Sequence, residues 1–368
     1  MRVVVAPDKF KGTLTAAEVA AEVAAGLSAA CPDVRVIAVP VADGGDGTLD
    51  AAVAAGFTRL EVSATGPSGD YVSAAIGVRD DVAVVELASA SGLVLLPDGQ
   101  PDAKGATSWG TGDLLLAALD AGCTEIVLGV GGSACSDGGA GMLQALGARL
   151  ADADGRDLGR GGGALSRLAE VDLSGLDNRL ADVRVVLATD VDNPLLGDQG
   201  AAAVYGPQKG ASAGDVRLLE TGLSRWAALV DPSAAMRPGA GAAGGVGYAA
   251  MTALACEVRP GIEVMLDLAG FDSKLGDAAL VVTGEGSLDQ QTLSGKAPAG
   301  VAEAARRRGV PVVAVCGRLE LSDEELHSAG IDAAYALTDE EPDVDKCMAE
   351  PRPLLRRLGH RIAVDLLR

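Results

Sequence analysis

Aromatic and basic residues are scarce in this chain of 368 residues, which holds two tryptophans, four tyrosines and three phenylalanines. Thirty lysines and arginines stand against 51 aspartates and glutamates, so the formal net charge is −21. A surface this acidic repels a phosphate backbone, and few rings are available to stack on bases. We therefore predict no nucleic-acid partner and expect any anionic ligand to be held by local amides and lysines.

Histidine is nearly missing, and several catalytic motifs are missing altogether. His327 and His360 are the two histidines, and both lie among charged residues near the C-terminus, where surface positions are expected. The six cysteines include no C-x-x-C pair, as is typical of reduced thiols in the cytosol. Zinc catalysis, a Ser-His-Asp triad and protein-kinase chemistry through an H-R-D motif are therefore poorly supported.

Long apolar runs are missing as well. No stretch reaches the roughly 18 apolar residues that a membrane helix needs. The first residues enter a strand-like segment directly, without the apolar region of a signal peptide. We therefore predict a cytoplasmic protein without a membrane partner.

Glycine, in contrast, is abundant at 50 residues, and the glycines are clustered in a few segments rather than periodic. Such clusters are typical of functional loops. Alanine-rich helical stretches alternate with Val- and Ile-rich runs, which predicts an α/β fold with a largely parallel sheet. We expect a doubly wound domain formed by residues 1–60 and 265–368, interrupted by a second α/β domain formed by residues 61–264.

Local patterns predict the individual elements of these two domains. Strands are expected at residues 2–6, 35–39, 125–130, 183–189, 278–283, 311–316 and 333–337. Helices are expected at residues 15–30, 296–308 and 351–367, the first with Thr15 and Glu18 spaced as a capping box. Turn signals between residues 60 and 96 predict antiparallel hairpins.

A glycine-rich loop at residues 129–141 follows one predicted strand and precedes a helix. Its amides can approach and hold phosphate oxygens, helped by the positive end of the helix dipole. The predicted phosphate-binding residues of this loop are Gly131, Gly132, Ser133, Asp137, Gly138 and Gly139. The same loop matches G-x-G-x-x-A, a weak fingerprint that leaves a nucleotide-dependent oxidoreductase as an alternative.

A second loop, at residues 189–194, carries Asp190 and Asp192 at the end of an apolar strand. Carboxylates on a short loop offer the hard oxygen ligands that Mg²⁺ prefers. One of them could instead orient or deprotonate an attacking hydroxyl.

Two further segments carry charge close to glycine. Residues 283–289 contain Gly284, Glu285, Gly286 and Ser287 at a strand end and are followed by Lys296; the segment does not match a Walker A motif. Asp8, Lys9 and Lys11 follow the first predicted strand, and Asp43 and Asp46 follow the second. A doubly wound sheet would bring these two strand ends side by side.

Lys209 lies in a tight turn, and each of these lysines taken alone is typical of a solvated surface side chain. Glycine loops, acidic loops and isolated lysines together indicate phosphoryl transfer, because that reaction depends on positioning and charge neutralisation more than on covalent chemistry.

Motifs along the whole chain resemble, in order, those of the bacterial type I glycerate kinases. They are Ala6-Pro7-Asp8, Val41-Ala42-Asp43-Gly44-Gly45, Thr107-Ser108-Trp109-Gly110-Thr111-Gly112, Gly131-Gly132-Ser133-Ala134, Asp137-Gly138-Gly139-Ala140-Gly141, Asn193-Pro194-Leu195, Gly206-Pro207-Gln208-Lys209-Gly210, Gly244-Gly245-Val246-Gly247 and Thr283-Gly284-Glu285-Gly286. The sequence departs from the family pattern at Lys9, Cys135, Ser136 and Asp192, so acceptor specificity is less firmly predicted than the reaction class.

The resemblance implies phosphorylation of D-glycerate by ATP with Mg²⁺, usually at the 2-hydroxyl, and a flavodoxin-like first domain. In this hypothesis residues 131–141 and Lys209 hold ATP together with Gly284 and Gly286. Asp190 orients or deprotonates the acceptor hydroxyl and, with Asp192 and Glu285, holds Mg²⁺. The other predicted roles are charge compensation by Lys9, Lys11 and Lys296, and glycerate binding by Asp8, Asp43, Asp46 and Ser287.

Two alternatives stay open beside the kinase: the oxidoreductase, and a non-catalytic protein that binds ATP or a small acid. The sequence also leaves open the oligomeric state, a homo-oligomer included, and the carbon that is phosphorylated.

The proposed role of Asp190 makes a direct prediction. Asp190→Asn removes the base while keeping the size of the side chain, so most turnover should be lost and the fold should stay intact. Steady-state ATP consumption and circular dichroism of the variant check this, and a near-wild-type rate would refute the assignment.

Overall fold

The computed structural model describes residues 1–367. The strands are β1 (Arg2–Pro7), β2 (Arg35–Ala38), β3 (Thr58–Thr65), β4 (Tyr71–Arg79), β5 (Val82–Glu86), β6 (Glu125–Gly129), β7 (Arg149–Asp152), β8 (Leu168–Asp172), β9 (Arg184–Ala188), β10 (Glu257–Arg259), β11 (Leu280–Leu288), β12 (Val312–Leu319) and β13 (Ala333–Ala336). The helices are α1 (Ala16–Ala30), α2 (Thr48–Ala54), α3 (Ala88–Ser91), α4 (Trp109–Asp120), α5 (Ala140–Ala145), α6 (Ala201–Tyr205), α7 (Ala213–Val230), α8 (Ala242–Ala253), α9 (Gly261–Leu268), α10 (Phe271–Leu275), α11 (Ala297–Arg307), α12 (Asp323–Ser328), α13 (Leu337–Glu340), α14 (Val344–Ala349) and α15 (Pro351–Leu366).

Local sequence explains where several helices begin. The Thr15 hydroxyl accepts a hydrogen bond from the Glu18 amide, while the Glu18 carboxylate accepts one from the Thr15 amide. This capping box was predicted, and it is confirmed. Ser212 and Ser322 begin α7 and α12 in the same way, so side chains satisfy amides that would otherwise lack a partner in the first helical turn.

The chain divides into two compact units. The first consists of Met1–Asp43, Asp50–Gly56 and Pro260–Arg368, and the second of Gly44–Leu49 and Phe57–Arg259. The predicted division at residues 60 and 264 stays a prediction. Residues 44–49 were expected in the doubly wound domain but group with the second unit.

The first unit is built on a five-stranded sheet in the order β13-β12-β11-β1-β2, and every pair in it is parallel. Side chains of β1 alternate between its faces: Val3 and Val5 pack in one apolar cluster, and Val4 and Ala6 pack in another. Helices α1 and α15 contribute to the first cluster, and α9 and α11 to the second. Both faces of the sheet are therefore buried, as parallel sheets require.

The second unit contains a six-stranded sheet in the order β10-β9-β6-β5-β4-β3. Strands β3, β4 and β5 pair antiparallel, whereas β5, β6, β9 and β10 pair parallel. One large apolar cluster, which includes Ile76, Leu114, Leu128 and Trp226, fills this unit. The fold is thus mixed α/β, with parallel and mixed sheets.

The predicted strands are present, with ends that differ by a few residues, and two expectations need correction. The hairpins between residues 60 and 96 end with β5 at Glu86, and short helical segments follow from Ala88. Residues 284–288 were expected to form a loop but continue strand β11.

In residues 1–367, no helix is both long and apolar enough to cross a membrane.

Helices α1 and α15 of the first unit cross at two glycines. A Cβ atom on Gly26 would lie 2.1 Å from the carbonyl oxygen of Arg356, and one on Gly359 would lie 2.4 Å from that of Val23. Backbone atoms cannot move aside as a flexible side chain can, so this crossing requires glycine at both positions.

We therefore predict that Gly26→Ala lowers the free energy of unfolding by about 1–3 kcal/mol, because overpacking outweighs the better helix propensity of alanine. Ser28→Ala, at an exposed position of the same helix, is the matched control and should change stability by less than about 0.5 kcal/mol. Urea unfolding measures both variants, and equal stability of the two would contradict the packing argument.

Candidate active site

Charged side chains gather where the central strands of the first unit end. Pro7 of β1 pairs with Gly284 of β11, so Asp8 and Glu285 follow at the same edge of the sheet. The chain after β2 reaches this edge too, since the Val41 amide donates to the Pro7 carbonyl oxygen, at 3.0 Å. This brings Asp43 within electrostatic range of both carboxyl groups. The predicted meeting of the two strand ends is thus present within this unit for Asp8, Lys9 and Asp43.

Burial and neighbouring charge change the acidity of Asp8. Desolvation, and then the charge of Asp43, raise its pKa from 3.8 to about 7, against the opposing effect of the Lys9 amide and ammonium. The carboxyl group is therefore partly protonated near neutral pH. In that state it can donate a hydrogen bond as well as accept one.

Glu285 lies inside strand β11 and is nearly buried. Desolvation raises the pKa of its carboxyl group, while a hydrogen bond from the Thr292 hydroxyl, at 2.6 Å, and the charge of Lys296 lower it. The Lys296 ammonium donates to the Gln291 side-chain oxygen, at 2.9 Å. Glu285 and Lys296 therefore both belong to the charged cluster of this unit.

Of the two glycines beside Glu285, Gly284 is required by packing between neighbouring strands. A Cβ atom on Gly284 would lie 2.1 Å from the carbonyl oxygen of Val315 in the adjacent strand, which explains the absence of a side chain. A Cβ atom on Gly286 would lie 3.6 Å from the amide nitrogen of Lys11, an ordinary contact distance. The side chain of Lys11 is exposed. Residues 284–288 thus form part of a strand, and the binding roles of Gly284, Gly286 and the half-buried Ser287 stay predictions.

In the second unit, three segments meet at one sheet edge. Glu86 of β5 pairs with Gly129 of β6, and Gly129 pairs with Ala188 of β9. The glycine-rich loop and the Asp190 loop therefore both begin at this edge. Residues 44–49 lie there too, since the Gly131 amide donates to the Gly44 carbonyl oxygen, at 3.4 Å.

The glycine-rich loop differs from the predicted phosphate cradle because most of it is buried. Only Gly131 and Gly132 reach the surface, and residues 133–141 are buried. Several amides in this buried part are already used inside the unit: Gly138 donates to the Gly244 carbonyl oxygen, at 2.9 Å, and Gly139 donates to the Asp137 carboxylate, at 3.1 Å. Gly131 and Gly132 are therefore the predicted phosphate-binding residues of this loop that solvent reaches.

Asp137 holds this loop against the start of helix α4. Its fully buried carboxylate accepts hydrogen bonds from the Ser108 amide, at 2.8 Å, the Ser108 hydroxyl, at 3.0 Å, and the Thr107 hydroxyl, at 3.3 Å. The amides of Gly139 and Gly141 donate to the same carboxylate. Desolvation raises the pKa of Asp137, and these hydrogen bonds oppose that effect. Asp137 thus shapes the loop from inside.

Lys209 is buried as well, only 2% exposed, rather than solvated as expected. Its ammonium group donates to the Ser133 hydroxyl, at 2.8 Å, and to the Cys135 carbonyl oxygen, at 2.5 Å. Desolvation lowers the pKa of this lysine. A side chain used in this way supports the loop, and its predicted contact with ATP stays untested.

Glu86 is a residue that the sequence analysis missed. Its nearly buried carboxylate accepts hydrogen bonds from the amides of Gly47, at 3.2 Å, and Leu49, at 2.9 Å, and thereby ties residues 44–49 to strand β5. An acidic residue at the end of an apolar strand was the signal that had singled out Asp190, and the same signal applies to Glu86. Ser108 was noticed only as part of a motif.

Asp46, Asp190 and Asp192 are exposed side chains of the second unit. Asp46 lies beside Gly132: a Cβ atom placed on this glycine would be 3.9 Å from the Cβ atom of Asp46. The Asp190 loop is fixed at Asn193, whose side chain donates to the Gln199 carbonyl oxygen and accepts from the Tyr205 hydroxyl.

Within residues 1–367, no three His, Cys, Asp or Glu side chains form a metal-binding group.

Comparison with protein families shows the class of this protein. The model of the glycerate kinase family matches residues 3–367, so the chain belongs to this family and is a kinase. It is 43% identical to a glycerate kinase of Halalkalibacterium halodurans, over 98% of this chain and 97% of that one. It is 42% identical to the glycerate 2-kinase of Escherichia coli strain K12, over 100% of this chain and 98% of that one.

A solved structure agrees with this relationship. The crystal structure of a protein assigned as glycerate kinase 2 from Salmonella typhimurium LT2 is 41% identical and superposes with a TM-score of 0.88, covering 100% of this chain and 98% of that chain. The family resemblance seen in the sequence motifs is thereby confirmed. The comparisons support neither the oxidoreductase nor the non-catalytic binding protein.

Because Lys209 is buried, a substitution can show whether this lysine stabilises the glycine-rich loop or contacts ATP. Lys209→Met leaves the Cys135 carbonyl oxygen without its donor, so the free energy of unfolding should fall by about 1–3 kcal/mol. Lys104→Met, which removes only an exposed ion pair with Asp215 in the same unit, is the control and should cost less than about 1 kcal/mol. Wild-type stability with weakened ATP binding would instead assign Lys209 to the nucleotide.

The raised pKa of Asp8 predicts a pH-dependent stability. Between about pH 4 and pH 7 the folded state keeps a proton that the unfolded state has lost, so stability falls as the pH rises through this range. Asp8→Asn removes the titration. Relative to wild type, the variant should gain stability progressively from pH 4 to pH 8, measured by urea unfolding in buffer with EDTA. Asp33→Asn, at an exposed site, is the control, and parallel pH profiles for wild type and Asp8→Asn would contradict the shift.

Proposed function

We propose that this protein transfers the γ-phosphoryl group of ATP to the 2-hydroxyl of D-glycerate and releases 2-phosphoglycerate and ADP. The observation that carries the proposal is the 42% identity to a glycerate 2-kinase over the full length of both chains. In the reaction, the bond between the γ-phosphorus and the bridging oxygen of ATP breaks. A bond from phosphorus to the C2 oxygen forms, and the hydroxyl proton leaves.

Asp190 is our candidate for receiving or orienting that proton. It is exposed on the loop that follows β9, at the same sheet edge as Gly131 and Gly132. Those two glycines present the surface part of a loop that Asp137 and Lys209 support from below. A supported loop can hold phosphate oxygens without reorganising during transfer.

Mg²⁺ is part of the proposal as the usual partner of ATP phosphates. Proteins commonly hold it with one or two carboxylates and rely on the nucleotide for further ligands, so a cage of three carboxylates is not required. Asp190 and Asp192 offer suitable oxygens on one exposed loop of the second unit, and the role of Glu285 as a metal ligand stays a prediction from the sequence. When bound, the ion would neutralise phosphate charge.

For glycerate, the charged cluster of the first unit supplies the chemistry that the acceptor needs. Lys9, Lys11 and Lys296 carry positive charge toward a carboxylate or phosphoryl group, while a partly protonated Asp8 can donate a hydrogen bond. Asp43 and Ser287 of the same unit complete this set, and the predicted role of Asp46, in the second unit, stays a prediction from the sequence.

We further propose that the two compact units are the protein's domains and that the first is flavodoxin-like. Its strand order supports this: numbered within the unit alone, the strands run 2-1-3-4-5, the order of that fold. A cytoplasmic location stays a prediction.

An enzyme-coupled assay tests the function. Purified protein is mixed with ATP, Mg²⁺ and D-glycerate, with enolase as the only coupling enzyme and ADP formation followed in parallel. Prompt enolase signal is the expected result, since enolase consumes 2-phosphoglycerate directly. ADP without that signal would move the phosphate to another carbon, and no ADP would overturn glycerate as the substrate.

A further inference from the structure

The outermost strand of the second unit's sheet is unusually long for an edge. Strand β3 has eight residues and pairs only with β4, whereas β10, at the opposite edge, has three. The edges of the first unit's sheet, β2 and β13, have four residues each. Folded proteins usually keep sheet edges short or interrupt them, because a long edge is a template for pairing with another chain.

The composition of β3 does not interrupt the backbone of this edge. Its sequence, Thr-Arg-Leu-Glu-Val-Ser-Ala-Thr, contains no proline, glycine or lysine. Leu60 is 42% exposed, although it lies directly opposite Ile76 of β4, which is fully buried in the core. An apolar side chain therefore protrudes at the rim of the core, near the start of β3, while at the other end of the strand the Thr65 amide donates to the Asp113 carboxylate.

Charges on the other face of β3 are arranged for self-pairing. The Arg59 guanidinium and the Glu61 carboxylate, one on each side of Leu60, form an exposed ion pair at 3.0 Å. An antiparallel copy of β3 related by a two-fold axis at Leu60 would place Arg59 opposite Glu61 of the second copy, and Glu61 opposite its Arg59. Opposite charges at facing positions stabilise a strand pair.

The two-fold registers next to this one are disfavoured. An axis at Arg59 or at Glu61 would bring like charges face to face, which destabilises strand pairing. A shift by one residue would put Leu60 opposite a charged side chain and on the wrong face of the sheet. Only the axis at Leu60 joins the two leucines and satisfies both charges.

We propose that β3 is the interface of a homodimer, in which β3 pairs antiparallel with β3 of a second copy of this chain across a two-fold axis at Leu60. The interface is isologous, so each favourable contact occurs twice. With this axis, Thr58–Val62 of one copy pair with Val62–Thr58 of the other, and the two six-stranded sheets continue into each other. This inference is independent of the proposed catalytic function.

A charge-swap series in analytical ultracentrifugation tests the register. Wild type should sediment as a dimer that dissociates on dilution. Arg59→Glu places like charges opposite each other twice and should weaken association by about tenfold or more. The double variant Arg59→Glu with Glu61→Arg restores both opposite-charge pairs and should recover most of the affinity. Because this variant keeps the changed position 59, recovery excludes a folding defect as the cause.

A cross-linking experiment tests the axis directly. Facing residues of an antiparallel pair have Cβ atoms about 4.5–5.5 Å apart, within the range for a disulfide after small adjustment. Leu60→Cys should therefore give a covalent dimer under mild oxidation. Tyr71→Cys, at an 85% exposed position of the neighbouring strand, should not, and the wild-type cysteines, which are buried or half-buried, should not either.

Three results would overturn the proposal. One is a monomeric wild type at every concentration up to about 1 mM. Another is a dimer whose affinity is unchanged by Arg59→Glu. The third is a dimer in which cysteines at positions 60 and 71 cross-link equally.

Discussion

The buried carboxylate of Asp137 is the interaction on which the site of the second unit depends. It accepts five hydrogen bonds, from the amides of Ser108, Gly139 and Gly141 and from the hydroxyls of Thr107 and Ser108. A buried charge is costly unless its oxygens are satisfied, so the loop and the start of α4 are fixed around it. The Lys209 ammonium secures the preceding residues of the loop. Gly132 is then exposed, and Gly131 half-buried, on a loop whose buried part is already hydrogen-bonded.

In the first unit the main constraint is electrostatic. A chain with a net charge of −21 that binds anionic ligands must hold them against its own field. Its strand ends combine Lys9 and Lys296 with carboxyl groups whose pKa values are raised, as at Asp8 and Glu285. A carboxyl group that is partly protonated repels an anion less than an ionised one and can donate a hydrogen bond to it. Acidic residues there are thus compatible with an anionic acceptor.

Much of the fold could be predicted from the sequence because its signals are local. The capping box at Thr15 and the apolar runs of the parallel strands each depend on a few neighbouring residues, and these elements are confirmed. Burial was harder to predict. Lys209 and Asp137 look like solvent-exposed or ligand-binding residues in the sequence, since their partners at positions 133, 135 and 108 are distant along the chain. Gly284 was assigned to a loop because the sequence cannot show that the Val315 carbonyl oxygen of a neighbouring strand occupies the space of its side chain.

Amide hydrogen exchange at Gly139 and Gly141 tests the central claim that the glycine-rich loop is held from inside by a buried carboxylate. Amides that donate to a buried, fully satisfied acceptor exchange only when the surrounding structure opens. The account predicts that, without any ligand, both amides exchange as slowly as those of strand β6 and far more slowly than those of the exposed turn at residues 153–156. Rapid exchange in the absence of ATP, with protection gained only when ATP is added, would contradict it and would return these glycines to direct phosphate binding.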